Sequence, residues 1–387
     1  MRRRDFLAGM AAGAALRPTL GRAAEPGRPR YQGPNVIIIR FGGGVRRRET
    51  IDADAQYSPF LKHVLAPKGV LFPKMEIASR PGVNTSHGEG TLNILTGIYD
   101  TYKDVGGKFL GNRFESRVPT IFECLRKHFP DIPEHQAVII NGEDRIDEEF
   151  YSFSNHHLFG VHYRSTVLSL YRFKLYLLRT DLAAGRYTGK DEQTHRNELA
   201  KLEALDLRAR DAAVTSSELD AFWAKWTEYY GKTGLVNPRG DRLLAELAVR
   251  AMRELRPRLM MVNFNDPDYV HWGIPSHYTR GVTIVDDGLR RIYEAAQADE
   301  AYRDRTVFLI APDCGRDSNP FMSCPYQHHF NSKSAHQVFA LAVGPGIDRK
   351  RVVDKATEQC SLAATVAGIM GFPMPTARGA PLAEVFA

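Results

Sequence analysis

The amino-acid sequence predicts an α/β fold: a doubly wound, mostly parallel sheet flanked by helices and interrupted by a helical insertion. Three observations lead there. Short, unbroken apolar runs rich in β-branched residues recur along the chain, and unbroken runs mark strands buried on both faces. Segments of helical spacing lie between them, and such alternation pairs strands in parallel through crossover helices. One stretch, residues 151–234, is charged and helical in period and shows no clear strand.

Strands are expected at Val36 to Ile39, Val70 to Phe72, Ala137 to Ile140, Leu259 to Phe264, Val307 to Ile310 and Val338 to Val343. Helices are expected over Ser116 to His128, Asp241 to Leu255, Thr283 to Ala298 and Cys360 to Met370. The core so predicted covers residues 35–150 and 235–387, and residues 151–234 form a helical insertion or lid. Within that insertion, Ser216 or Ser217 ahead of Glu218 supplies a capping signature. Ligands of open parallel sheets bind beyond the carboxyl ends of the strands. That rule selects four loops: RFGGGVRRRE, NDPDYVHWG, PDCGRDSNP and the segment leading into Val338.

With 387 residues, 43% hydrophobic and 25% charged, the chain can bury a large core and is not a disordered protein. Residues 1–24 read as an export signal: an arginine cluster, an apolar stretch from Ala8 to Leu16, and small residues Ala23 and Ala24 for cleavage. Arg3, Arg4, Asp5, Phe6 and Leu7 resemble a twin-arginine motif, whose partner machinery carries folded proteins across the bacterial inner membrane. The expected location is periplasmic or secreted. No later run reaches the about 18 apolar residues of a membrane span, so stable membrane insertion is not expected.

Lys and Arg number 52 against 45 Asp and Glu, and Arg2, Arg3, Arg4, Arg17 and Arg22 fall in the export segment. The remaining excess suits a small anionic ligand. No basic cluster is interleaved with aromatics, so nucleic acid is not an expected partner. Cys124, Cys314, Cys324 and Cys360 are too few for a disulfide scaffold, leaving one bridge at most as an expectation.

The loops carry the candidate chemistry. NDPDYVHWG holds Asp266, Asp268 and His271. Carboxylate and imidazole in one short loop suit a zinc-class or manganese-class ion, although Asp and Pro are equally common in solvated turns. IAPDCGRD offers Asp313 and Cys314, followed by Cys324, His328, His329 and His336. NTSHGEGTLNILTG presents Thr85, Ser86 and His87 ahead of a helix. A hydroxyl there is either a metal-activated nucleophile beside free helix amides or an ordinary N-cap. In RFGGGVRRRE, Gly43 and Gly44 let amides approach an anion, and Arg46, Arg47 or Arg48 can pair with its oxygens. The plain alternative is a glycine turn followed by solvated arginines. A dinucleotide site is disfavoured, because Gly42-x-Gly44 lacks the third glycine and a placed acid.

Taken in order, NVIIIRFGG, NTSHGEGTLNILTG, NDPDYVHWGIPSHYTRGVTIVDDGLRRIYE, TVFLIAPDCGRD, SAHQVFALAVGPGI and SLAATVAGIMGFPMPTARGAPLAEVF resemble the alkaline phosphatase superfamily. That superfamily includes sulfatases, nucleotide pyrophosphatase/phosphodiesterases and cofactor-independent phosphoglycerate mutases. The resemblance covers most of residues 35–387 outside the insertion. It implies an alkaline phosphatase-like fold and a divalent-metal-dependent hydrolase of a small anionic ester. Phosphate comes ahead of sulfate, since no Cys-x-Pro-x-Arg setting is present.

Carried onto these residues, the resemblance makes Thr85 or Ser86 the attacking group. Asp313 and Cys314 hold an ion beside that hydroxyl, while Asp266, Asp268, His271 and a later histidine, His328, His329 or His336, hold another. Zinc is the first expectation, as one or two ions, with manganese or calcium as alternatives. The chain departs from the pattern at defined points. Gly42 stands where the first metal-binding Asp belongs, Cys314 stands where a His belongs, and His271 follows Asp268 by three positions instead of four. The count back from the Thr-Gly pair, Thr96 and Gly97, puts His87 at the nucleophile position. A second reading follows from these departures: a non-catalytic anion- or ligand-binding protein on the same fold, with the two-metal site lost.

Overall fold

The computed structural model describes residues 29–52, 56–103, 114–142, 158–205, 216–231, 240–317, 319, 321, 324–328 and 332–386. The export segment and His329 lie outside the described residues. The strands are β1 Asn35–Arg40, β2 Gly69–Glu76, β3 Thr101–Lys103, β4 Phe114–Ser116, β5 Ala137–Asn141, β6 Thr166–Leu168, β7 Leu259–Asn263, β8 Thr306–Ala311, β9 Gln337–Val343, β10 Arg351–Val352 and β11 Thr357–Glu358. The helices are α1 Arg47–Thr50, α2 His87–Thr96, α3 Ile121–His128, α4 Leu170–Ala183, α5 Gly189–Leu205, α6 Ser217–Tyr230, α7 Asp241–Leu255, α8 Pro275–Ala298, α9 Lys333–His336 and α10 Ser361–Met370.

Among the described residues the main sheet runs β10-β2-β9-β8-β1-β7-β5-β6, with β11 also on β2, and β3 pairs with β4 apart from it. Pairing within the main sheet is parallel except where β9 runs antiparallel to β2 and β8, and β3 and β4 pair antiparallel. This is the mostly parallel, helix-flanked sheet that the apolar runs predict. Successive side chains of β1 enter opposite layers: Val36 and Ile38 join one core, Ile37 and Ile39 the other. Each such buried aliphatic side chain contributes roughly 1.5–3 kcal/mol.

The register positions the site. Arg40 lies opposite Asn263 of β7 and Ala311 of β8, so the three central strands end level. The loops that follow them are thereby set side by side.

Local chemistry moves several boundaries from their expected places. The helix expected from Ser116 starts at Ile121, because Thr120 and Glu123 form a reciprocal capping box and Ser116 pairs in β4. The helix expected from Thr283 begins earlier, with Pro275 in its first turn, where a missing N–H costs nothing. The stretch expected to be a wholly helical insertion contributes β6 to the main sheet, parallel to β5. Phe173 and Leu177 of α4 and Phe222, Trp223 and Trp226 of α6 share a core with Leu244 and Ala248 of α7. Ser216 caps α6 by accepting from the Leu219 amide. Cys124, Cys314, Cys324 and Cys360 are free thiols. Among the described residues no helix is long and apolar enough to cross a membrane.

Asp286 of α8 accepts from the Phe60 and Leu61 amides, both at 2.9 Å. Burial pushes its carboxyl up to about 6 even so. A folded-state pKa above the unfolded one stabilises the protein below the unfolded value, and that contribution is lost as pH rises through about 6. Its size is about 2–3 kcal/mol. Asp286→Asn lacks this titration. The stability of the variant relative to the parent therefore rises by up to about 2–3 kcal/mol between about pH 3.5 and about pH 7 in urea unfolding. A difference that stays flat across this range rules the effect out.

Candidate metal centre

The site begins with the glycine loop after β1. A Cβ on Gly42 would lie 1.8 Å from the Phe264 carbonyl oxygen, so only glycine lets this loop pass the end of β7. Gly43 and Gly44 have φ of 86° and 68°, in the left-handed region. The carbonyls of both accept from Arg316, and the Gly44 amide donates to Asp313 Oδ1 at 3.2 Å. The loop is therefore knitted to its neighbours, and the Gly44 amide already has an acceptor.

Two guanidinium groups are wholly buried around the strand ends. Arg40 closes β1 and donates to Thr91 Oγ1 at 2.7 Å, to the Phe264 carbonyl at 3.4 Å and to Asn265 Oδ1, and it lies 3.7 Å from Asp313. Arg316 donates to the carbonyls of Gly44 (2.7 Å), Val270 (2.9 Å), Tyr326 (3.2 Å) and Gly43, and lies 3.5 Å from Asp268. The five-donor fork of arginine suits a junction of several loop carbonyls.

Between these cations stands His87, the first residue of α2, whose N-cap is Ser86. Its Nδ1 lies 2.7 Å from Asp313 Oδ2 and its Nε2 lies 2.5 Å from Asp268 Oδ1. Burial opposes a charge on this ring, but the Asp268 and Asp313 carboxylates hold its pKa well above the usual imidazole value. Burial likewise opposes ionisation of Asp268 and Asp313, yet His87, with Arg40 beside Asp313, keeps both below the ordinary carboxylate range.

Two more imidazoles meet the same oxygen. His271 Nε2 and His328 Nε2 each lie 3.1 Å from Asp268 Oδ1. Their Nδ1 atoms donate to the carbonyls of Tyr326 and Thr85, both at 3.0 Å. Burial, and then the charge of His87, hold His328 well below its usual pKa, in the neutral form. The donor atoms of Asp268, His271 and His328 lie within 4.8 Å of one another. A second group of that kind, His87, Cys314 and His328, lies beside it.

The other expected site residues have different partners. Thr85 is wholly buried and its hydroxyl donates to the His328 carbonyl. The Ser86 hydroxyl accepts from the Glu89 amide and donates to Glu89 Oε2 at 2.9 Å. Arg46 pairs with Glu49 and lies over the Tyr278 and Tyr326 rings. Arg47 donates to the Val338 and Met75 carbonyls at 2.9 and 2.7 Å. Asp266 exchanges backbone bonds with Asp241 and belongs to neither donor group, since its carboxylate accepts from the Asp241 amide at the start of α7. His336 also lies outside both groups, with its Nδ1 2.9 Å from the Ile77 carbonyl. Asp313 Oδ1 takes the Gly44 and Cys314 amides, while burial and then Asp313 push the Cys314 thiol up to about 12.

Arg40 and Asn265 carried no expectation from sequence. A charged residue inside the run VIIIRF was the available signal, because a charge buried on both faces of a sheet must be paired.

These residues fit one divalent ion and not two. His271 and His328 converge on Asp268 with their Nδ1 atoms held by carbonyls, as in metal sites generally, while the charged His87 stands between Asp268 and Asp313. On the Asp313 side, Gly42 offers no acid and no room for one, and the Asp313 oxygens are taken by two amides, His87 and Arg40.

No protein-family model matches this chain, and no curated protein matches it by sequence. Solved structures do. Wild-type alkaline phosphatase PafA aligns at 11% identity and a TM-score of 0.58, over 93% of this chain and 99% of that one. A member of the alkaline phosphatase superfamily from Vibrio parahaemolyticus aligns at 15% identity and 0.55, over 93% and 71%. The PsFucS1 sulfatase from Pseudoalteromonas sp. aligns at 12% and 0.53, over 92% and 72%. At such identities the likeness is one of fold, and the chain has the fold of the alkaline phosphatase superfamily.

Proposed function

We propose that this protein is a metal-dependent hydrolase of a small anionic ester, phosphate ahead of sulfate, in which water and not a side-chain hydroxyl displaces the leaving group. The observation that supports it is the convergence of His271 and His328 on Asp268, where the His271 and Asp268 side chains remain 15% and 19% exposed. When bound, a divalent ion supplies Lewis-acid polarisation and charge neutralisation at the ester.

The chain's own residues shape the rest. Thr85 and Ser86 hydroxyls are committed to His328 and Glu89, and His87 is gripped on both nitrogens, so none of these three side chains is poised to take up the phosphoryl group. Solvent enters as the remaining nucleophile. Arg40, Arg316 and the charged His87 outnumber the Asp268 and Asp313 carboxylates, which leaves a positive excess that draws anions in. Tyr269, Trp272 and Ile274, exposed on the same loop as His271, suit an aromatic or apolar leaving group. The twin-arginine-like segment at residues 1–24 supports action in the periplasm or outside the cell.

Chelator-stripped protein reloaded with zinc or manganese tests the reading against p-nitrophenyl phosphate, its diester and p-nitrophenyl sulfate. We expect metal-dependent cleavage, a drop of at least about 100-fold in His271→Ala, and no phosphoryl transfer to an added alcohol. Transfer to the alcohol means that a covalent intermediate forms after all. The committed Thr85 and Ser86 hydroxyls also suit the second reading, a non-catalytic ligand-binding protein. A chain that retains metal tightly and cleaves none of the three esters establishes that one.

A further inference from the structure

We infer that the protein has a second ligand site, the cavity formed by α4, α6 and the start of β6, which takes a small molecule with an oxyanion head and a short apolar body. The inference goes beyond the metal-centre reading and does not depend on it. The topology sets the two sites apart. Thr166 opens β6 opposite Val138 of β5, and Val138 lies opposite Met260, three residues before Asn263 at the end of β7. At about 3.3 Å per residue and about 4.8 Å per strand, Thr166 stands roughly 10 Å along the sheet and roughly 10 Å across it from that strand end. Arg164 and Glu134, which pair at 2.9 Å, precede β6 and β5.

The lining is cationic within and acidic at the rim. Arg164, Arg172 and Arg179 all line the cavity, and the first two are 5% and 7% exposed. The lining acids are Glu134, whose side chain is 33% exposed, and Asp220, which is exposed. Solvent screens acids at a rim, whereas buried guanidinium groups keep their field. Arg179 gives Nε and Nη2 to Glu203 at 2.9 and 2.7 Å, and its Nη1 has no partner among the described residues. Thr166 supplies the independent observation. It lines the same cavity, is 3% exposed, and its Oγ1 has no hydrogen-bond partner among the described residues. An unpaired buried hydroxyl is costly, and an oxyanion that accepts from it removes the cost.

Size and the remaining lining define the ligand. The cavity measures about 40 Å³. A single water needs roughly 10–15 Å³ on that scale, so a head of a few heavy atoms fits. Arginine forks match the paired oxygens of a carboxylate or phosphoryl group, and three of them oppose a cation. Leu175 of α4 and Leu219 and Trp223 of α6 add apolar surface, against which a short hydrocarbon or aromatic body can lie.

Calorimetric titration of the full-length protein with benzoate and with phenylphosphonate tests this, since the two probes carry different oxyanion heads on one apolar body and neither has an ester bond to cleave. We expect saturable binding of at least one of them, and the tighter of the two identifies the head group. In Thr166→Val, Kd should rise by at least about 5-fold, and in Arg172→Gln by at least about 10-fold. His271→Ala, altered in the metal centre, should bind as the parent does. No saturable binding of either probe, parental Kd in Thr166→Val, or binding lost in His271→Ala overturns the inference. Thr166→Val gives up no hydrogen bond among the described residues. The test therefore stands even if the Arg172→Gln chain fails to fold.

Discussion

Replacing Arg40 with leucine lowers the unfolding free energy by about 3–5 kcal/mol, among the largest effects available in this protein. Arg40 and Asp313 are both wholly buried and 3.7 Å apart. Removing the cation leaves the buried Asp313 carboxylate with His87 and two backbone amides as its remaining partners. Thr91, Phe264 and Asn265 lose a donor at the same moment. Arg40→Lys keeps the charge and loses the fork, so it recovers only part of the stability. Adding Asp313→Asn to Arg40→Leu costs less than the sum of the separate changes, because the two residues face each other. Urea unfolding measures all of these. A loss below about 1 kcal/mol for Arg40→Leu means that the guanidinium is not what balances Asp313.

Restoring the missing acid, Gly42→Asp, is the second large change, and it does not restore a second metal ion. The added Cβ meets the Phe264 carbonyl oxygen at 1.8 Å and Arg40 Nε at 3.0 Å. Backbone at the end of β7 must move, so the expected loss is about 3 kcal/mol or more. Gly42→Ala should lose a comparable amount, because the collision is with the first side-chain carbon and not with the carboxylate. Thermal melts of both variants and metal analysis of whatever remains folded check the pair. A stable Gly42→Asp protein holding two equivalents of zinc refutes the steric account.

Together the two changes show what the loop after β1 does. Where the superfamily pattern calls for an acid that holds an ion, this chain has a glycine pressed against β7 and an arginine one turn of the pleat earlier. A permanent cation stands beside Asp313, where the resemblance implied a metal.

Much of the fold was legible in the chain itself. The six apolar runs became six strands of the sheet, and Asp241 to Leu255 became α7 with the same ends. Helix starts were less legible, since a cap such as Thr120 with Glu123 acts over four residues and can override the periodicity around it. Of the insertion, β6 was invisible because three residues carry no period, and they become a strand only through pairing with β5. The aromatic residues of α6 signalled burial but not against what.

The site divides in the same way. By itself the sequence determined which loops carry acids, imidazoles and glycines, and that those loops follow the carboxyl ends of strands, because apolar periodicity and turn chemistry are local properties. Only the tertiary structure decided that His87 meets Asp268 across 181 positions, that His328 joins them, that Asp266 turns to Asp241, and that Arg47 is tied to the backbone of β2 and β9. Such pairings are settled by the level ends of β1, β7 and β8 and by which buried charges must neutralise one another. Neither condition can be read from a residue and its immediate neighbours.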